Sequence, residues 1–270
     1  MFMKRLLLIL LAAALLLSCA ACGKTERAAS VTFFKAGKAD AAVIQTENSV
    51  ILIDTGLEKN DKELVASLRS MGVERIDVLI LSHFDKDHVG GADDILAAFP
   101  VGVVYQSNYA KDSDDYAEYI AALAEQGVEP VTVTDTVSFT LDGLTVDIDG
   151  PAETEYADDP SNNSSLIASV TCGDTTLLFA GDAQDARITE YLAAYERPEG
   201  TVILKVPYHG HWQQTLSDFL SAVRPDYAVL CCSKSEPEES ELTQTTALLE
   251  GLGAQVYRTC DGDVSFSLNY

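Results

Sequence analysis

The sequence predicts an α/β fold in which two sheets pack together with helices outside, and three observations point there. Clusters of short strand patterns are mixed with helical ones from residue 31 onward. An apolar content of 47% supplies a substantial core for a single domain of about 245 residues. Three apolar runs, 76–81, 177–181 and 202–206, each end in residue types that bind metals.

Residues 1–22 read as a leader ahead of that fold. Met1-Phe2-Met3-Lys4-Arg5 is basic, and 6–17 is an unbroken apolar stretch leading into Ser18-Cys19-Ala20-Ala21-Cys22-Gly23. The stretch is shorter than the ~20 residues of a membrane-spanning helix. Leu16-Leu17-Ser18-Cys19 resembles a bacterial lipobox and Ala20-Ala21-Cys22-Gly23 is a second candidate, so Cys19 or Cys22 is the expected lipidation site. That address places the protein on the extracellular face of a bacterial cytoplasmic membrane, held by its N-terminal lipid, or secreted. A polar linker is expected over 23–30 and the folded domain over 31–270.

The elements follow in order. Alternation and β-branched residues predict strands over 31–35, 41–46 and 50–54, the third closed by Asp54-Thr55-Gly56. Leu64, Leu68 and Met71 at helical spacing mark a helix over 61–71, which feeds the strand 76–81. Gly90-Gly91 opens another helix that stops before Pro100. Strand 101–106, helix 114–125, short strands between 131 and 149 and a polar loop over 153–163 come next. Segments 166–172 and 175–180 form a hairpin turning at Gly173-Asp174. Helix 184–195, strand 202–206, helix 216–223, strand 227–231, a helix near 241–252 and strands 255–259 and 264–268 complete the chain.

Charge restricts the partners. The formal net charge is −24, and loss of the leader leaves 16 basic residues against 42 acidic ones. Such a field repels polyanions at long range and counts against strong duplex DNA binding. It suits a small-molecule substrate better. Beyond the leader stand Cys172, Cys231, Cys232 and Cys260, with no C-x-x-C pair, which argues against a zinc ribbon. Cys231 or Cys232 pairs with Cys260 only if their strands are neighbours in an oxidising compartment; buried free thiols are the default reading.

All four histidines lie in two motifs, Ser82-His83-Phe84-Asp85-Lys86-Asp87-His88-Val89-Gly90-Gly91 and Pro207-Tyr208-His209-Gly210-His211. Residues i and i+2 at a strand end project to one side, so His83 and Asp85 are placed to share a cation. Asp87 and His88 sit where the backbone turns toward the next helix and face a second ion. Asp182 ends an apolar strand; a bridging carboxylate fits there, although alone it reads as a turn or N-cap residue. His209 alone is weak evidence, and the combination of strand ends carries the signal.

Phe33-Phe34-Lys35-Ala36-Gly37-Lys38-Ala39-Asp40-Ala41, Ile51-Leu52-Ile53-Asp54-Thr55-Gly56, the H-x-D-x-D-H-x-G-G loop, Asn162-Asn163-Ser164-Ser165-Leu166, Phe179-Ala180-Gly181-Asp182, Leu204-Lys205-Val206-Pro207-Tyr208-His209-Gly210 and Val256-Tyr257-Arg258-Thr259 stand in order. The series resembles a metallo-β-lactamase-fold hydrolase, in particular the C-terminal domain of ComEC-type competence (DNA-uptake) proteins. The resemblance implies a four-layer αββα metallo-β-lactamase-like sandwich with two divalent cations, Zn or Mn. It assigns His83 and Asp85 to one ion, Asp87, His88 and His209 to the other, and Asp182 to both as a bridge. Asp85 and Asn163 stand at or near places where the wider superfamily has histidine, and an oxygen-rich site favours Mn²⁺. Where that branch shows His-His-Gly this chain has Tyr208-His209-Gly210, and where it shows Gly-His-Pro this chain has Ser235-Glu236-Pro237.

The expected function is hydrolysis of a phosphodiester, nucleic acid or nucleotide, by water activated between the cations, with Asp87 and Asp182 as catalytic carboxylates. Asn163, Lys205, Tyr208, His211 and Glu236 are the expected substrate contacts. A hydrolase of a lactone, thioester or β-lactam is the alternative within the same chemistry. A non-catalytic binding lipoprotein of the same fold is the alternative outside it.

Overall fold

A computed structural model describes residues 27–234 and 239–270. The leader, with Cys19 and Cys22, lies outside the described residues, as does Glu236. Two seven-stranded sheets lie face to face. The first has the order β14-β1-β2-β3-β4-β5-β6, with β1 Ala28–Phe33, β2 Ala41–Gln45, β3 Val50–Thr55, β4 Ile76–Leu81, β5 Val101–Gln106, β6 Val131–Thr132 and β14 Val264–Asn269. The second has the order β13-β12-β11-β10-β9-β8-β7, with β7 Val137–Leu141, β8 Leu144–Asp149, β9 Ile167–Cys172, β10 Thr175–Phe179, β11 Thr201–Lys205, β12 Tyr227–Leu230 and β13 Gln255–Arg258.

β1 begins at Ala28, earlier than the expected domain start at 31. The reason is long-range: β14 returns to pair antiparallel with it from Ala28↔Asn269 through Phe33↔Val264. Backbone groups of 28–30 therefore have a ladder partner that local pattern does not reveal.

The inner faces meet in one apolar layer. Val31, Phe33, Ile44, Ile53 and Ile80 face Val146, Val170, Leu177, Phe179 and Ile203, and the rings of Phe33 and Phe179 stack with centroids 5.5 Å apart. Helices α1 Asp61–Ser70, α3 Ala92–Ala98 and α4 Asp114–Gln126 cover the first sheet through Leu64, Leu68, Ile95, Leu96, Tyr119 and Leu123. Between α1 and α3 lies a single turn, α2 Lys86–Val89. After another single turn, α5 Pro160–Asn163, helices α6 Asp185–Ala194, α7 Leu216–Val223 and α8 Glu239–Gly251 cover the second sheet through Ile188, Phe219, Leu220 and Leu249. Strand β4 is apolar at nearly every position because both its faces are covered. The result is the four-layer αββα sandwich.

Candidate metal centre

The site forms where strand ends from both sheets converge. His83 follows β4, Asp87 and His88 ride on α2, Asp182 follows β10, and His209 lies in a 3-10 turn, Pro207–Gly210, after β11. Gly181 shows why the approach is close: at φ 51°, a Cβ on it would stand 2.9 Å from Cβ of Ser82. Tyr208 (φ 51°, ψ 42°) and His209 (φ 54°, ψ 10°) are consecutive non-glycine residues in the left-handed region. That conformation costs roughly 1–2 kcal/mol per residue. It turns the His209 ring back toward Asp182, and Thr245 Oγ1 braces the turn by donating to the Gly210 carbonyl at 2.7 Å.

Hydrogen bonds assign the histidine tautomers. His88 Nδ1 donates to Asp54 Oδ2 at 2.9 Å, and His209 Nδ1 donates to the Cys231 carbonyl oxygen at 3.1 Å. Their Nε2 atoms point the other way, to Asp182: His88 Nε2 is 3.2 Å from its Oδ1 and His209 Nε2 is 3.1 Å from its Oδ2, so in the metal-free protein the carboxylate faces both charged rings. Asp87 Oδ2 lies 3.4 Å from His209 Nε2. His83 packs against His88 with ring centroids 4.1 Å apart, and its Nδ1 meets Ser82 Oγ at 3.1 Å.

Cations fit this arrangement. The Nε2 atoms of His83, His88 and His209 are all buried; that of His83 has no hydrogen-bond partner, and those of His88 and His209 face the carboxylate of Asp182. Imidazoles and a carboxylate gathered in this way are the donor types that divalent transition metals bind. Atoms of His83, His88 and Asp182 lie within 4.8 Å of one another, as do atoms of Asp40, His88 and His209. In the first group His88 turns its Nε2 to Asp182 and His83 has an Nε2 with no hydrogen-bond partner. In the second, Asp40 stands beside the Nδ1 atoms, 3.4 Å from that of His209 and 3.7 Å from that of His88, which already donate elsewhere. Asp40 therefore supports the rings from behind, as second partners of metal-bound histidines do.

The charges are balanced internally. Burial penalises the Asp182 carboxylate, but the imidazoles of His209 and His88 and the Lys205 ammonium more than reverse this and hold its pKa well below the ordinary range. Burial likewise opposes charge on His209, and the carboxylates of Asp182 and Asp40 overcome it, pushing the ring up to about 10. His88 is raised in the same way by Asp182, Asp40 and Asp54, against burial. Burial and the neighbouring His88 lower His83, which stays neutral. Asp87, opposed by burial but paired with His209, drops to about 2.

The structure brings His83, His88, Asp87, Asp182 and His209 together. Asp85 lies at the edge. Its Oδ1 is 3.9 Å from His83 Nε2 and is held by Lys111 Nζ and Ser161 Oγ. Two expected substrate contacts are engaged inside the fold. Asn163 is spent inside the fold: its Nδ2 donates to the Asp158 carbonyl at 2.8 Å and its Oδ1 accepts from Arg187 N at 3.1 Å. Lys205 is buried, paired with Asp40, 3.4 Å from Asp182 Oδ1 and donating to the Gly181 carbonyl at 2.8 Å; it is an internal counter-ion. Tyr208 and His211 sit half-buried at the rim with rings 5.2 Å apart, Lys38 Nζ lies 5.8 Å from the Tyr208 centroid, and Trp212 is exposed beside them. Sequence reasoning assigned no role to Asp40, Asp54, Ser82, Ser165 or Lys111. An acid closing the first turn, Asp40, and an acid near the end of the apolar strand β3, Asp54, are the available signals for two of them.

A sandwich with histidines and carboxylates converging at its strand ends defines a class, and the comparisons name it. The profile of the Metallo-beta-lactamase superfamily matches residues 35–234, and the chain belongs to that superfamily. It is similar to competence protein ComA of Neisseria gonorrhoeae, 30% identical over 205 residues that cover 76% of this chain and 27% of that protein. It is similar also to ComE operon protein 3 of Bacillus subtilis strain 168, 26% identical over 202 residues that cover 74% and 25%. Recombination protein 2 of Haemophilus influenzae is 28% identical over 207 residues, 74% of this chain and 24% of that one. The resemblance to ComEC-type competence proteins is thus found, and the chain spans about a quarter of those relatives' length. Among solved structures, the metallo-beta-lactamase fold protein YhfI of Bacillus subtilis aligns with TM-score 0.59 at 11% identity over 88% of this chain and 99% of that one. CmlA, a diiron β-hydroxylase from Streptomyces venezuelae, aligns with TM-score 0.57 at 15% identity over 88% and 54%. These likenesses show the fold alone.

Proposed function

We propose that this chain is an exported, lipid-anchored, metal-dependent phosphodiesterase acting on a small phosphodiester or a single-stranded nucleic acid. The observation that carries the metal dependence is the convergence of three buried imidazoles, His83, His88 and His209, on Asp182. Divalent cations in such a site supply Lewis acidity and a nucleophile from water at neutral pH.

The chain's own groups prepare that chemistry. Asp54 and the Cys231 carbonyl hold the Nδ1 protons of His88 and His209, which fixes both rings with Nε2 inward. Ser82 holds Asp54 in turn, donating from N at 2.7 Å and from Oγ at 2.8 Å. Lys205 offsets the charge of Asp40 and Asp182 beneath the rings. Asp87, lowered to about 2 beside His209, is ionised near neutral pH and accepts hydrogen bonds without donating one. At the mouth, Lys111 beside Asp85 and Lys38 over Tyr208 provide cationic groups for an anionic substrate. The relatives named for competence and recombination support a nucleic-acid substrate. The net charge of −24 supports a small or single-stranded one.

Steady nitrophenol release from a bis-nitrophenyl phosphate probe by manganese- or zinc-loaded protein, lost in Asp182→Ala, is the expected result. Turnover confined to lactones, thioesters or β-lactams would replace the phosphodiester reading. Binding of two cations with no turnover of any of these would replace catalysis with a binding role. The anchor is tested separately by fatty-acid labelling, which Cys19→Ala or Cys22→Ala abolishes if that cysteine carries the lipid.

A further inference from the structure

Beyond the metal centre, the described cysteines are disposed unequally. β12 and β13 run parallel in the register Tyr227↔Gln255 to Leu230↔Arg258. Just past the ends of these strands Cys232 and Cys260, the latter in the 3-10 turn Thr259–Asp261, come side by side as free thiols. The Sγ atoms lie 3.2 Å apart in a buried setting, and Cys232 N is held by Thr259 Oγ1 at 3.2 Å. Their surroundings separate the neighbour. Cys231 lines the cavity beside Asp40 and Lys205, whereas Cys232 and Cys260 share the apolar layer beneath the outer helices. Cys172 lies in the inner core with no cysteine beside it.

We propose that Cys232 and Cys260 form a structural disulfide that braces the His209 side of the metal centre. The segment it closes contains α8, whose Thr245 holds the Gly210 carbonyl, and the bond is anchored one residue after Cys231, whose carbonyl holds His209 Nδ1. Two thiols are oxidised to one S–S bond. Their two protons and two electrons pass to an incoming disulfide, of glutathione or of a thiol–disulfide oxidoreductase, whose S–S bond breaks and which leaves as two thiols.

The test uses the full chain equilibrated with glutathione disulfide, denatured, alkylated and peptide-mapped. The expected map joins Cys232 to Cys260 and alkylates Cys172 and Cys231. Reduction should lower the thermal midpoint by roughly 5–10 °C and quicken amide exchange over 207–212. The double substitution Cys232→Ser/Cys260→Ser should make the protein insensitive to reductant, and Cys172→Ser should leave the sensitivity intact. A map with all four thiols alkylated, or with Cys231 cross-linked to Cys260, overturns the assignment. An exchange rate over 207–212 that reduction leaves unchanged overturns the bracing role.

Discussion

His88 Nδ1 and Asp54 Oδ2 stand 2.9 Å apart, joined across 34 positions of sequence at the floor of the site. Asp54 is held in the left-handed region, at φ 53°, a conformation that asparagine tolerates. Asp54→Asn should therefore keep the fold while removing the charge that fixes the ring. Metal affinity should fall by roughly 10–100-fold in competition with a chromophoric chelator. An unchanged affinity would show that Asp54 does not orient His88.

Lys205 should matter through the charge it covers. Lys205→Met leaves the Asp40 carboxylate buried beside Asp182 without its ammonium, and loss of one partner of a buried pair costs about 3–5 kcal/mol. Adding Asp40→Ala should restore much of that loss, read by denaturant unfolding of the metal-free protein. Equal destabilisation in the single and double variants would contradict the pairing.

Metal binding should release protons. In the metal-free protein His209 is raised from 6.5 to about 10 and His88 is raised as well, so both rings are protonated at neutral pH. A raised pKa stabilises the metal-free fold fully below 6.5, and that contribution is lost as pH rises through the folded value. Cations need the neutral rings, so affinity should climb between pH 6 and pH 8, by up to about tenfold per pH unit for each proton displaced. Titration with zinc or manganese in weak buffer, followed by a pH indicator, reads the release; a flat affinity across that range would contradict it.

Arg187 frames the opposite wall. Buried in α6, it donates from Nε to the Ser165 carbonyl at 2.9 Å and from Nη2 to the Asp149 carboxylate at 2.6 Å, while Ser165 Oγ accepts from Asp182 N at 3.1 Å. Arg187→Leu should cost about 3–5 kcal/mol in chemical denaturation. A loss below about 1 kcal/mol would place the pair among weak surface bridges.

The strand ends were legible because an apolar run that stops at His83, Asp182 or near His209 has a local signature. Asp40 was not, because its acid follows an ordinary turn and gains meaning only when β11 brings Lys205 and His209 beside it. Strand partnership was also hidden. The short runs between 131 and 149 look alike, yet β6 adds to β5 of the first sheet while β7 begins the second. The turns α2 and α5 are too short to carry a periodic pattern and were read as loops. Asn163 and Lys205 carry groups typical of substrate contacts, and only their partners show those groups already committed.

Metal content of the purified full chain, by elemental analysis after loading with manganese or zinc and removal of free ions, tests the centre most directly. Two divalent cations per chain in the unaltered protein and fewer in Asp182→Ala are the outcome predicted by the converging Nε2 atoms of His83, His88 and His209. A chain that retains no cation under either loading would contradict it.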